Sequence, residues 1–178
     1  MTLKPKIAQY VADIIAALQN AGYEAYIVGG AVRDFLLDRQ PKDYDLSTSA
    51  TPEEIKKVFR KQRCMIIGRR FRLVHLYHGK EILEISTFRK KPEHLAPAPE
   101  KMNPDKAAAA PENMIFRDNE FGTVQEDAWR RDFTVNAMAM RLPQMALVDP
   151  CGGLTDLADG NLRTPVSAEQ SFDDDPLR

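Results

Sequence analysis

Gly29-Gly30 follows the apolar run Ala25-Tyr26-Ile27-Val28 and precedes a segment of helical character. Four consecutive apolar residues read as a short buried strand, and the glycine pair ends it. A helix over Ala31 to Leu37 is expected next, then a second strand over Tyr44-Asp45-Leu46-Ser47-Thr48. Strand, tight turn, helix and strand in so short a stretch restrict the chain to a sheet with helices packed on it. Upstream, Ile7, Val11, Ile14, Ile15 and Leu18 recur at helical spacing, and Gly22 supplies a stop. Downstream, Thr51-Pro52-Glu53-Glu54 carries a Thr cap, Pro at the first position and Glu at the third, so a helix should run to about Lys61. Three strand-like runs come next, Met65 to Ile67, Phe71 to Tyr77 and Glu81 to Phe88. His78-Gly79-Lys80 separates the last two as a hairpin turn would.

From Lys91 to Asn113 the chain is rich in Pro and Ala and has no hydrophobic period, which reads as a mobile loop. Order is expected to resume near Met114, with Asp127 to Met140 mostly helical. Ala146-Leu147-Val148 then forms a short strand before the turn Asp149-Pro150-Cys151-Gly152-Gly153. Asp173 to Asp175 suit the start of a helix, because acidic groups favour a helix N-terminus. The chain stops at Arg178 before that helix, so a truncated chain, or one cut at a domain boundary, is expected.

The 178 residues fit one domain, or one domain and the start of another. With 43% hydrophobic residues the chain can bury a sizeable core and is not of disordered composition. No apolar run approaches the roughly 20 residues of a membrane helix, and the N-terminus lacks the apolar stretch of a secretory signal. A cytoplasmic location is the expectation. Cys64 and Cys151 make no disulfide framework and have no Cys or His at zinc-ligand spacing, so both are expected as core thiols.

The net charge of -1 points to no partner by itself. Its distribution says more, because no acidic residue occurs between Glu54 and Glu81. That stretch holds Lys56, Lys57, Arg60, Lys61, Arg63, Arg69, Arg70, Arg72 and Lys80. Such a tract suits a polyanion, RNA or a nucleoside triphosphate. It equally fits a solvated helix face followed by an exposed strand.

Asp43 and Asp45 stand two apart at the expected strand, so both side chains should share a face with alpha carbons about 6–7 Å apart. Carboxylates so placed can share hard cations such as magnesium. Two such ions about 3.5–4 Å apart can serve an in-line phosphoryl displacement. Asp-x-Asp alone is common at strand ends and turns. At Gly29-Gly30, backbone N–H groups can approach a phosphate beside a helix N-terminus, with Arg33 one turn further on. Neither a dinucleotide-binding glycine fingerprint nor a phosphate-loop Gly-Lys-Ser/Thr is present. An ordinary strand-to-helix turn explains the glycines equally well.

The combination is far more specific. Val28-Gly29-Gly30-Ala31-Val32-Arg33-Asp34, Lys42-Asp43-Tyr44-Asp45 and Arg130-Arg131-Asp132-Phe133-Thr134-Val135-Asn136-Ala137 occur in that order. The series resembles the bacterial class II nucleotidyltransferases, the CCA-adding tRNA nucleotidyltransferases and bacterial poly(A) polymerases, from about Tyr23 to Arg178. The resemblance implies an α+β fold, the polymerase-beta-like head, with a small mixed or antiparallel sheet flanked by helices. It implies a nucleotidyltransferase head domain over 1–150 and the start of the following nucleotide-recognition neck over 151–178. By the same resemblance, Asp43 and Asp45 hold magnesium in a two-metal site. Gly29, Gly30 and Arg33 contact the triphosphate, and Arg131 and Asp132 bind nucleotide and complete the site. Glu84 and Asp132 are rival third carboxylates, and Glu84 also reads as a strand-edge group paired with Arg89 or Arg72. Asp175-Pro176-Leu177-Arg178 resembles the family's base-reading motif, in which Asp175 and Arg178 hydrogen-bond the incoming base. Gly68-Arg69-Arg70-Phe71-Arg72-Leu73-Val74-His75-Leu76 looks more like the poly(A) polymerases, and Arg117-Asp118-Asn119-Glu120-Phe121-Gly122 leans the same way. There Arg69, Arg70 and Arg72 are candidates for binding RNA, an mRNA 3′ end or a tRNA acceptor end. The implied reaction is addition of AMP from ATP to an RNA 3′-hydroxyl, with CCA addition as the alternative. A non-catalytic RNA-binding module is the reading from another class.

Overall fold

The structure is a computed structural model that describes residues 6–68, 72–90 and 120–175. Its elements in chain order are α1 (Gln9–Asn20), β1 (Ala25–Val28), α2 (Gly30–Leu36), β2 (Asp45–Thr48), α3 (Pro52–Val58) and β3 (Cys64–Ile67). They continue with β4 (Leu73–His78), β5 (Glu81–Thr87), α4 (Val124–Ala128), a 3-10 turn (Thr134–Asn136), β6 (Ala139–Arg141), β7 (Ala146–Val148), α5 (Gly153–Asp159) and α6 (Ala168–Asp174). The seven strands form one mixed sheet in the order β3-β4-β5-β2-β1-β6-β7. Only the central pair β2 and β5 runs parallel. This is the expected α+β architecture, a mixed sheet flanked by helices. No described helix is long and apolar enough to cross a membrane.

Period-2 alternation divides the residues of the sheet between two faces. Ile27, Leu46, Val74, Leu76, Leu83 and Ile85 share the large core with Val11, Ile14, Ile15 and Leu18 of α1, Val32 and Phe35 of α2, and Ile55 of α3. The opposite face carries Tyr26 and Val28. They pack with Phe88, Ala139 and Val124 of α4 in a smaller cluster. Asp45 lies opposite Val28 in the β1–β2 register, so it belongs to this second face.

Local chemistry explains the element ends. Thr51 and Glu54 close a capping box on α3, with Pro52 at its first position. That helix ends at Val58, short of the expected Lys61. Asp43 lies in a bend ahead of β2 rather than on the strand. Alternation still extends back to it, since Asp43 and Asp45 are exposed while Tyr44 and Leu46 are buried.

Two larger expectations also fail. Asp127 to Met140 is not mostly helical: α4 stops at Ala128, a single 3-10 turn follows, and Ala139–Arg141 is a strand paired antiparallel with β1. A short apolar run does not distinguish the two periods, and the free edge of β1 decided the outcome. Asp173 and Asp174 end a helix instead of starting one, because α6 begins at Ala168, where Ser167 accepts the Gln170 N–H. The loop expected over Lys91 to Asn113 lies outside the described residues. Cys151 is buried, and burial pushes its thiol up to about 11.

The segment after α4 is tied to α5 by a tight contact. A Cβ added to Gly153 would stand 2.1 Å from the Thr134 carbonyl oxygen and 2.8 Å from its carbon. The Thr134 hydroxyl donates to Asp156 at 2.5 Å, and Arg163 pairs with the same carboxylate at 2.9 Å. Backbone on backbone leaves no flexible atom to yield. Gly153→Ala is expected to lower unfolding stability by roughly 3 kcal/mol, the upper range for overpacking, measured by urea denaturation. A loss below about 0.5 kcal/mol, typical of a neutral surface change, would show that the contact is looser than described.

Candidate active site

Asp45 stands at the start of β2, between β1 and β5. The parallel register sets it beside Glu84 of β5, and the β4–β5 register sets Glu84 beside His75. His75 Nε2 lies 3.2 Å from Glu84 Oε1. The alternative reading of Glu84 paired it with Arg89 or Arg72; Arg72 instead pairs with Glu53 of α3.

Gly29 lies on the other side of Asp45. Its φ of +71° and ψ of -140° belong to a region that residues with a Cβ rarely enter. Space does not exclude a side chain there. A Cβ at Gly29 would be 3.6 Å from Arg131 Nη1 and 3.9 Å from Asp45 Oδ2, which locates both groups against this turn. Although Asp45 as a residue is exposed, its carboxyl is partly withdrawn from water, which raises its pKa, and the Glu84 carboxylate raises it further. Arg131 opposes this, and Asp43 adds to the rise. Glu84, Arg131 and Asp43 therefore all act electrostatically on Asp45.

Arg131 is held from behind. Its Nη2 donates to Asp127 Oδ2 at 3.1 Å, four residues back. Asp127 is buried and also accepts from the Arg89 N–H at 3.1 Å and the Ser47 hydroxyl at 3.4 Å. Ser47 in turn meets the Ser86 hydroxyl at 2.7 Å. One carboxylate thus joins α4, β2 and the end of β5. Asp132 has a comparable role. It accepts the Phe133 N–H at 2.7 Å and the Asn136 amide at 3.3 and 3.4 Å. Asn136 Oδ1 accepts from Arg33 Nη1 at 2.9 Å, and Arg33 also pairs with Asp34 at 3.0 Å. A Cβ on Gly30 would lie 3.5 Å from Arg33 Nη2.

A cleft of about 530 Å³ opens over this region, lined by Gly30, Ala31, Arg33, Asp34, Arg39, Gln40, Lys42, Asp43 and Asp45. Three cations and three carboxylates share its wall, so it can take a group with anionic oxygens and a divalent counter-ion. The helix α2 spans only seven residues, and its dipole adds little beside those charges. Among the described residues no three Asp, Glu, His or Cys side chains gather into a ligand set for a metal ion. Protein carboxylates crowded around Asp45, with the remaining ligands from water or phosphate, are the donor set that magnesium favours.

Asp43, Asp45, Gly29, Gly30, Arg33, Arg131 and Glu84 are thus brought to one neighbourhood, and Asp132 reaches it through Asn136. Asp175 caps the end of α6. Arg69, Arg70 and Arg178 lie outside the described residues. Asp127, Asn136, His75 and Arg39 were not singled out from the sequence. The spacing of Asp127 and Arg131, four apart, was a usable signal for an ion pair. The His75–Glu84 contact had none, because it depends on strand register.

The poly(A) polymerase head-domain family matches residues 25–163. Poly(A) polymerase I of Haemophilus influenzae is 42% identical over 93% of the chain. The chain belongs to this family. Poly(A) polymerase I of Escherichia coli O157:H7 is 41% identical over 97% of the chain, and the CC-adding tRNA nucleotidyltransferase of Halalkalibacterium halodurans is 36% identical over 93%. Among solved structures, the CCA-adding enzyme of Bacillus stearothermophilus in complex with CTP aligns over 95% of the chain with a TM-score of 0.73 and 32% identity. The chain spans only 35–36% of the length of these relatives and 36% of that structure.

Two outcomes test this geometry. Asp127→Ala removes the acceptor of Arg131, Ser47 and the Arg89 N–H together. It is expected to cost about 3 kcal/mol, as for a broken buried ion pair, measured by urea denaturation; a change near zero would deny Asp127 its joining role. For Asp45 the folded-state pKa is raised, so its charged form penalises the fold above the carboxylate range and the penalty disappears in acid. Asp45→Asn should raise Tm by about 2 °C at neutral pH in metal-free buffer. The gain should vanish near about pH 3, and a Tm lowered at neutral pH would contradict the crowding of carboxylates.

Proposed function

We propose that this chain is the catalytic head of a template-independent RNA nucleotidyltransferase that adds AMP from ATP to RNA 3′ ends. The observation that carries the reading is the setting of Asp45, with Glu84 in register on one side and Gly29 and Arg131 on the other. Residues 1–150 form the nucleotidyltransferase head, and 151–178 begin the neck that reads the base through Asp175 and Arg178. Identities of 40–42% to poly(A) polymerase I, against 35–38% to CC- and CCA-adding enzymes, support adenylate as the product. The RNA substrate is an mRNA 3′ end or a tRNA acceptor end, with Arg69, Arg70 and Arg72 as candidate contacts, and the protein acts in the cytoplasm, where ATP and RNA meet.

In this reading the triphosphate lies in the cleft at Gly30, beside Arg33, Arg39 and Lys42. Asp132 sets Arg33 through Asn136, and Asp127 sets Arg131. Asp43 and Asp45 would hold magnesium, with Glu84 as the third carboxylate. Bound there, magnesium would supply positive charge to the phosphate oxygens and ease transfer of the 3′-hydroxyl proton to solvent water. The RNA 3′ oxygen forms a bond to the α-phosphorus, the bond to the bridging α–β oxygen breaks, and pyrophosphate leaves. Positioning and fixed charge supply most of the rate.

In the full-length protein, Asp43→Ala and Asp45→Ala should each lower AMP incorporation by at least about 100-fold while leaving the fold intact by circular dichroism. Incorporation retained in the double variant would sink the reading. CCA addition is the second reading, favoured by the structural likeness to a CTP-bound CCA-adding enzyme. A tRNA lacking CCA and a generic RNA, supplied with ATP or CTP and followed by sequencing of the products, separate the two. CTP incorporation into the tRNA would replace the adenylate assignment.

A further inference from the structure

Four side chains stand in one row across the face that holds the candidate site. The registers Met65↔His75, His75↔Glu84 and Glu84↔Asp45 link β3, β4, β5 and β2 in that order. The β1 side of this face is covered, with Tyr26 and Val28 packed by Phe88 and Val124. Among the described residues the β5–β4–β3 side stays open, where Met65, Ile67 and Ile82 are 42%, 38% and 51% exposed. Asp45 lies on the boundary between the two halves. We propose that this open half-face is the track on which the RNA 3′ end lies during nucleotide transfer.

The inference rests on the nucleotidyl-transfer reading above and adds a direction to it. An in-line displacement needs the attacking oxygen opposite the leaving group. The cleft of Gly30, Arg33, Arg39 and Lys42 holds the departing phosphates, and its turn follows β1. The nucleophile must then approach Asp45 from the other side, over β5. From Glu84 to Met65 is two strand spacings, about 10 Å, so the row leads away from the reacting oxygen along the sheet.

The chemistry of the surface fits single-stranded RNA. Strands β3 and β4 contain no acidic residue, so nothing on them repels phosphate. The Arg63 guanidinium lies 4.3 Å over the Tyr77 ring, and Tyr77 shares the face with His75. An aromatic ring with a stacked guanidinium, beside exposed apolar side chains, can take the flat faces of successive bases without reading their identity. The cation beside it offers a phosphate contact.

The test uses the full-length protein with ATP and a single-stranded RNA primer. Met65→Glu, in β3, and Arg63→Ala, just before it, alter exposed positions outside the carboxylate site, and Tyr77→Ala removes the ring. Leu154→Glu, at an exposed position of α5, controls for an added charge elsewhere. The three face variants should raise the KM for RNA about tenfold, while the KM for ATP, kcat at saturating RNA and Tm stay near those of the parent. Arg63→Ala should also flatten the salt dependence of RNA binding by about one phosphate contact. Normal incorporation with an unchanged RNA KM in Met65→Glu and Arg63→Ala would overturn the track alone. No incorporation by the parent protein would overturn the transfer reading and the track with it. A rise in RNA KM equalled by Leu154→Glu would show a general charge effect and overturn the assignment to this face.

Discussion

The parallel pairing of β2 with β5 is the constraint on which the site depends. The other strand pairs are antiparallel, and the chain needs α3, β3 and β4 to bring β5 back beside β2. That one register places Asp45 against Glu84 and aligns His75 and Met65 beyond them. A one-residue slip would turn every one of these side chains to the opposite face. The face toward α1, α2 and α3 is filled by Leu46, Ile85 and Val74, which cannot be exchanged for carboxylates without loss of the core. Hydrophobic burial on one side therefore locks the charged row on the other.

Crowding carboxylates at Asp45 works against folding, and the structure offsets it locally with Arg131. Arg131 is useful there only because it is anchored. Asp127 takes its guanidinium from below and is itself fixed by Ser47 and the Arg89 backbone. Asp132, Asn136 and Arg33 form a parallel chain of contacts on the α2 side. Two buried or half-buried carboxylates thus orient two arginines from behind, and the exposed carboxylates face the cleft. This division of labour explains how Asp127 and Asp132, close in sequence, support opposite flanks of one site.

Much of this was legible in the chain. The Gly29-Gly30 break, the capping box at Thr51 and Glu54, and the alternation around Asp43 and Asp45 are local signals, and each holds in the structure. The segment after Asp127 was misread because Ala137 to Met140 is apolar without a decisive period. Pairing with β1, a contact remote in sequence, made it a strand. The acidic run Asp173 to Asp175 was misread because helix-dipole preference is weak beside the Ser167 cap. The role of Asp127 was half legible through its spacing from Arg131, while its contacts to Ser47 and Arg89 were not.

The amino-acid sequence by itself determined where the chain turns, which residues alternate toward a core, and which charged groups stand near the glycine turn. These follow from backbone sterics and side-chain period, which act over a few residues. Only the tertiary structure decided that Glu84 lies beside Asp45, that His75 lies on Glu84, and that among the described residues one half of the sheet face is covered while the other is open. Those outcomes depend on strand order and register. Both are set by the total apolar surface buried across the whole sheet, a quantity no single segment of the chain contains.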